Sequence, residues 1–122
     1  MATTQVTLGY PTGTKIFAET DLEGTAVAVA AAAATVYQVE VDNASNSVAS
    51  FVKLWNVASG SVTVGTTAPD WCLMVPASVK RSFSMVDGIA FGTAITAACV
   101  TTAGTAGTTN PTFAVPVKIV YA

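Results

Sequence analysis

Ser50 and Lys53, spaced as Ser-x-x-Lys in the run SFVK, are a pair whose types could do nucleophilic chemistry. In the penicillin-binding enzymes that spacing works with Ser-Asp-Asn and Lys-Thr-Gly partners, and this sequence has neither. The pair also falls in a run that reads as strand, where positions three apart point to opposite faces. It therefore reads as coincidence. A hydrolase built on two carboxylates needs them facing each other across a cleft. The candidates Glu40, Asp42, Asp70 and Asp87 each fall at a strand end or on a polar face, where solvated acids belong. Glu19, Asp21 and Glu23 form the densest acidic stretch, but they lack the spacing and distal glutamate of a calcium loop. The run GTAGTTNP (residues 104–111) lacks the Gly-Lys-Ser/Thr ending of a phosphate loop.

Histidine is absent, which removes the commonest general base, nucleophile activator and metal ligand together. Cys72 and Cys99 sit in apolar surroundings, WCLMV and AACVT, and read as buried free thiols packing as small hydrophobes. A single disulfide between them stays open, since sequence does not show whether their Cβ atoms meet. No catalytic, cofactor or metal residue is nominated, and the expectation is a protein that is not an enzyme. Trp55 and Trp71 have rings that can stack on a sugar or a base, but their apolar flanks favour core or interface packing. With Tyr121, they are the natural anchors for a partner, because aromatics dominate interface hot spots.

The composition asks for such a partner. Hydrophobic residues make up 52% of the 122 and charged residues 10%, against a usual charged share of about 25%. A surface so poor in charge is expected to be covered in part by another protein. Net charge is −2, and of the five basic residues only Lys80 and Arg81 are adjacent. Nucleic acid needs a basic stripe, and none is present. The start, MATTQVTLGYP, has no basic region followed by a long apolar one and does not read as a signal peptide. Residues 26–34 (AVAVAAAAA) are too few to span a bilayer. The expectation is a chain made in the cytoplasm, without membrane contact, that remains soluble or joins an assembly.

The elements that would position these residues are strands. Residues 1–24 read as an N-terminal arm with short strands at 5–8 and 15–18, and residues 25–122 as a sandwich domain. Residues 26–29 favour a strand or a loose loop, with a helical turn as second choice. Residues 35–42 (TVYQVEVD) alternate, with Tyr37, Val39 and Val41 on one face and Gln38, Glu40 and Asp42 on the other. Residues 43–47 form a turn. Residues 48–56 are apolar on both faces, as in a central or covered strand, and Lys53 is expected to lay its stem beside Phe51 and Trp55 with its ammonium in water. Residues 50–76 thus read as strand, structured loop and strand at the centre of the fold. Asp87-Gly88 reads as a hairpin turn after residues 80–86, and residues 93–101 as a further strand. In residues 112–122 (TFAVPVKIVYA), Pro116 argues for an edge or bulged strand. Seven to nine short strands without an amphipathic helix imply an all-β single domain, an antiparallel β-sandwich or jelly roll, with an up-and-down barrel still open.

One stretch also carries a resemblance. It runs Phe51-Val-Lys-Leu-Trp-Asn56, Ala58-Ser59, Thr63-Val-Gly-Thr-Thr-Ala-Pro69, Val75-Pro-Ala77, Asp87-Gly-Ile-Ala-Phe-Gly92 and Ala94-Ile-Thr96. This order of pieces resembles small structural proteins of tailed bacteriophages over residues 50–109, with Trp55 where that pattern has tyrosine. The resemblance implies a β-sandwich virion component. Its expected form is a capsid decoration, or cement, protein on the outer surface of an icosahedral shell, a homotrimer bound to the major capsid protein. The alternative is a tail, baseplate or fibre module that holds a host glycan or another tail protein.

Overall fold

The computed structural model describes residues 13–122, so the strand expected at residues 5–8 lies outside the described residues. Eight strands follow in order: β1 (Lys15–Glu19), β2 (Val27–Ala30), β3 (Ala34–Asp42), β4 (Ser50–Trp55), β5 (Trp71–Val75), β6 (Lys80–Phe91), β7 (Ile95–Val100) and β8 (Val117–Tyr121). A single 3-10 turn, Ser59–Ser61, interrupts the β4–β5 connection. Two four-stranded sheets form, one ordered β1-β8-β3-β6 and the other β2-β7-β4-β5. All the pairings are antiparallel.

The pairs β1–β8, β2–β7, β3–β6 and β4–β5 are those of one long hairpin. Rolled up, that hairpin sends its successive pairs alternately into the two sheets. This is the strand order of an eight-stranded jelly roll. Between the sheets, Val36, Val39, Val41, Val117 and Ile119 meet Val52, Leu54, Ile95, Ala97 and Cys99 in one core. Leu22, from the β1–β2 connection, and Val115, just before β8, close that core at one end.

Strands β4 and β7 are apolar on both faces because the β2-β7-β4-β5 sheet is covered twice. Lys53, Trp55, Thr96, Ala98 and Val100 are buried yet lie outside the inter-sheet cluster. Two long connections, residues 56–70 and 101–116, cover them. These connections touch where Gly65 (φ +93°) passes Thr108 so closely that a Cβ on Gly65 would collide with the threonine methyl. Only glycine takes that backbone conformation without strain.

Several expectations are corrected. The apolar strand β5 is an edge rather than central, and β8 is internal rather than an edge. The ladder simply begins after Pro116, so the missing N–H costs β8 nothing. Asp87-Gly88 does not turn the chain. It lies inside β6, where Ser84 pairs with Gln38 and Ile89 with Val36, leaving residues 85–88 as a bulge. Gly88 (φ +74°) there crosses so close to Tyr37 and Thr35 that no side chain fits. The same irregularity turns Val36, not Tyr37, into the core with Val39 and Val41. Lys53 does not reach water: it is fully buried, and its ammonium donates to Gly107 O at 3.4 Å beneath the 101–116 connection. Cys72 is exposed on the β5 edge rather than buried, and both cysteines are free thiols.

Candidate interaction surface

The turn at residues 43–47 contains two asparagines that sequence marks only as turn formers. Both are wholly buried. An amide with four bonding positions is costly to bury unless partners meet it. Asn43 Nδ2 donates to Val48 O (3.0 Å), Val75 O (3.3 Å) and Pro76 O (3.0 Å), and its Oδ1 accepts from Ser50 Oγ at 2.7 Å. The Asn43 backbone N–H donates to Val79 O. Asn46 clasps the residue Phe113 from both sides: its Oδ1 accepts from Phe113 N at 2.8 Å and its Nδ2 donates to Phe113 O at 3.0 Å. The Asn46 carbonyl takes both the backbone N–H and the hydroxyl of Ser78. Ser78 holds φ +62°, a left-handed conformation uncommon for serine, and these two bonds fix it there.

Jelly-roll topology brings the β1–β2, β3–β4, β5–β6 and β7–β8 connections to the same end of the sandwich. The two asparagines tie three of them together, and the first joins through Leu22 N to Val115 O and Val115 N to Asp21 Oδ1. Beside the exposed Asp21 and Glu23 of the β1–β2 connection, this end presents an apolar set on the other three connections. Val48, Val79 and Phe113 are all exposed, Phe113 by 60%, and the backbone of each is bonded directly to Asn43 or Asn46. From Val79 the chain runs back to the β5 edge, where Met74 and Trp71 are each nearly half exposed. An apolar tip on a fixed backbone loses little entropy on docking, which is what a preorganised interface needs.

The three expected anchors separate. Trp55 is buried, and its indole N–H donates to Thr67 O at 3.0 Å, so it fixes the β4–β5 connection and is withdrawn from any partner. Trp71 is 44% exposed on the β5 edge and keeps the expected accessibility. Tyr121 lines a shallow groove of about 340 Å³ with Lys15, the alanines 30–34 and Ala122, away from the asparagine-bound end. Val48, Val79 and Phe113 are the surface residues that sequence reasoning missed. The available signal was a pair of asparagines three apart in a turn, but nothing local said that the turn would be buried.

Side chains considered for chemistry are bound to the scaffold. The Ser50 hydroxyl goes to Asn43 and the Lys53 ammonium to Gly107 O, so the Ser-x-x-Lys pair shares no site. Asp70 accepts from Asn56 N, and Asp42 from Ala44 N. Glu40 meets Lys80 at 2.8 Å on the open face of the β1-β8-β3-β6 sheet, and that hydrogen bond holds the Glu40 carboxyl below its ordinary range. Burial pushes the Cys99 thiol up to about 12. Among the described residues, no cluster of acids and cysteines could hold a metal ion. No protein-family model matches the chain, and comparison with curated proteins and with solved structures returns no match.

Proposed function

We propose that the chain is a non-catalytic structural protein of a tailed-phage virion, a decoration protein that binds the outer surface of the capsid through the asparagine-bound end. The observation that carries the binding role is the exposed Val48, Val79 and Phe113 on backbone immobilised by Asn43 and Asn46. The phage setting comes from the ordered likeness over residues 50–109. The rolled strand order is one that viral coat domains use, though lectins share it, so it supports the setting only by analogy. The chain would dock its apolar end where capsid subunits meet. Several such copies on one shell turn modest single contacts into strong attachment.

The test is co-sedimentation of the purified protein with capsid shells lacking it. Binding is expected. Phe113→Ser is expected to weaken it about tenfold or more, as for a central apolar anchor, without changing the melting temperature. No binding to shells, or binding to purified tails alone, overturns the capsid assignment. The second reading, a tail or fibre module holding a host glycan, is favoured by the half-exposed Trp71 ring. A glycan array whose signal is lost in Trp71→Ala would select it.

A further inference from the structure

Four strands end the two sheets, and each deals differently with the pairing groups an edge exposes. Strand β6 begins with two cations, Lys80 and Arg81, and is bulged at residues 85–88. Strand β2 is four residues long and its register slips between Ala28 and Ala30. Strand β5 carries no charge. Strand β1, KIFAE, has a cation at its first position and an anion at its last, the two equidistant from Phe17. Among the described residues, β1 pairs with β8 and with no other strand.

We infer that β1 is a self-association edge, whose partner is β1 of a second copy of this chain. Antiparallel strands related by a two-fold axis through Phe17 place Lys15 opposite the second copy's Glu19 and Glu19 opposite its Lys15. Opposite residues in an antiparallel pair share a face. The symmetric register therefore keeps Phe17, which packs on the core, opposite its own copy, and sets Ile16 beside Ala18 on the outer face. Ile16, 67% exposed in the single chain, is covered. Like charges at the strand ends would repel a second copy; opposite charges placed symmetrically about the centre attract it twice, because a two-fold interface uses one patch on both sides. Among the described residues the ion pair is Glu40 with Lys80; Lys15 and Glu19 form none, although the Glu19 carboxylate accepts one long bond, 3.4 Å, from Asp21 N–H. The result is one continuous eight-stranded sheet across two molecules, a two-fold contact distinct from the homotrimer that the phage resemblance implies. The inference does not rest on the virion reading.

Sedimentation of the full chain over a range of concentrations tests it. A reversible dimer is expected. Lys15→Glu, which sets like charges opposite each other twice, is expected to weaken the dimer about tenfold or more. The exchange Lys15→Glu with Glu19→Lys restores complementarity and is expected to return the dimer to within about threefold of the native affinity. Lys15 is exposed and Glu19 partly buried at the two ends of the strand, and circular dichroism of both variants reports whether the fold is retained. A monomer at every concentration overturns the inference. A trimer, a dimer indifferent to Lys15→Glu, or an exchange variant that stays monomeric overturns it equally.

Discussion

Cys72 and Cys99 carry the same thiol into opposite surroundings. Cys72 stands on the β5 edge in solvent, opposite Lys53 in the ladder, and Cys99 lies in the core opposite Val52. Burial is the main cause that raises Cys99 to about 12, with the Ser50 hydrogen bond opposing it in part. The reactive species is the thiolate. At pH 8, a thiol reagent is therefore expected to modify one cysteine of the folded protein rapidly, Cys72, and the second only after denaturation. Mass spectrometry of the two labelled states checks this, and rapid double labelling of folded protein would contradict the buried environment. A stability consequence has a definite sign. In the unfolded chain Cys99 loses its proton near its ordinary value of 9.0, while the folded chain holds it to about 12. Above pH 9 the unfolded state binds fewer protons, so stability falls as pH rises toward 12. The slope from this one group is at most about 1.4 kcal/mol per pH unit. Melting curves of the native protein and Cys99→Ala are expected to converge over that window, because the alanine variant lacks this loss.

Among the connections, the Asn46 clasp is the element whose removal is most informative. Asn46→Ala leaves Phe113 N–H and C=O without their partners, and an unmet buried backbone group costs about 1–3 kcal/mol. Because the Phe113 bonds are only partly buried and water can meet part of the loss, the expected loss is about 2 kcal/mol in chemical denaturation, at the middle of that range. Phe113→Ser removes only an exposed side chain and is expected to change stability by less than about 0.5 kcal/mol. The two variants act on one site, yet only the first should destabilise; equal stability losses would mean that Phe113 is packed rather than presented. The strands themselves were legible in sequence wherever one face is buried. Alternation at Val39 and Val41 marks β3, and the two-sided apolar run marks β4 as internal. Legibility fails where the cover is another loop. Nothing near Lys53 announces that residues 101–116 will lie over it, and nothing near Trp71 tells a two-sided apolar strand at an edge from one at the centre. Asp87-Gly88 has the local chemistry of a turn, but the β3–β6 ladder continues past it as a bulge. The site was the least legible part, because burial of Asn43 and Asn46 depends on three connections that only the rolled topology brings together.

On the scale of the whole molecule, the jelly roll separates two surfaces of different physics. The asparagine-bound end shows Val48, Val79 and Phe113 on neutral loops, and the β1 edge shows Lys15 and Glu19. A chain with only 10% charged residues and a net charge of −2 has little long-range field to mix the two. Their responses to salt should therefore diverge. The Debye length shrinks from about 10 Å at 0.1 M to about 3 Å at 1 M, which weakens exposed ion pairs. Apolar burial is instead strengthened by excluded salts such as sulfate. Raising sodium chloride from about 0.1 to 1 M, across that change in screening, is expected to loosen the β1-mediated dimer severalfold and to leave shell binding nearly unchanged. Sodium sulfate should tighten shell binding. Sedimentation measures the first, and pull-down on shells measures the second in the same buffers. Shell binding that collapses with sodium chloride would show that charge, not the apolar end, holds the protein to its partner. A dimer that tightens with salt would show that Ile16 and Phe17 outweigh the Lys15–Glu19 pairs. The two measurements read different side chains, Lys15 and Glu19 on the β1 edge in the first and Val48, Val79 and Phe113 on the β3–β4, β5–β6 and β7–β8 connections in the second.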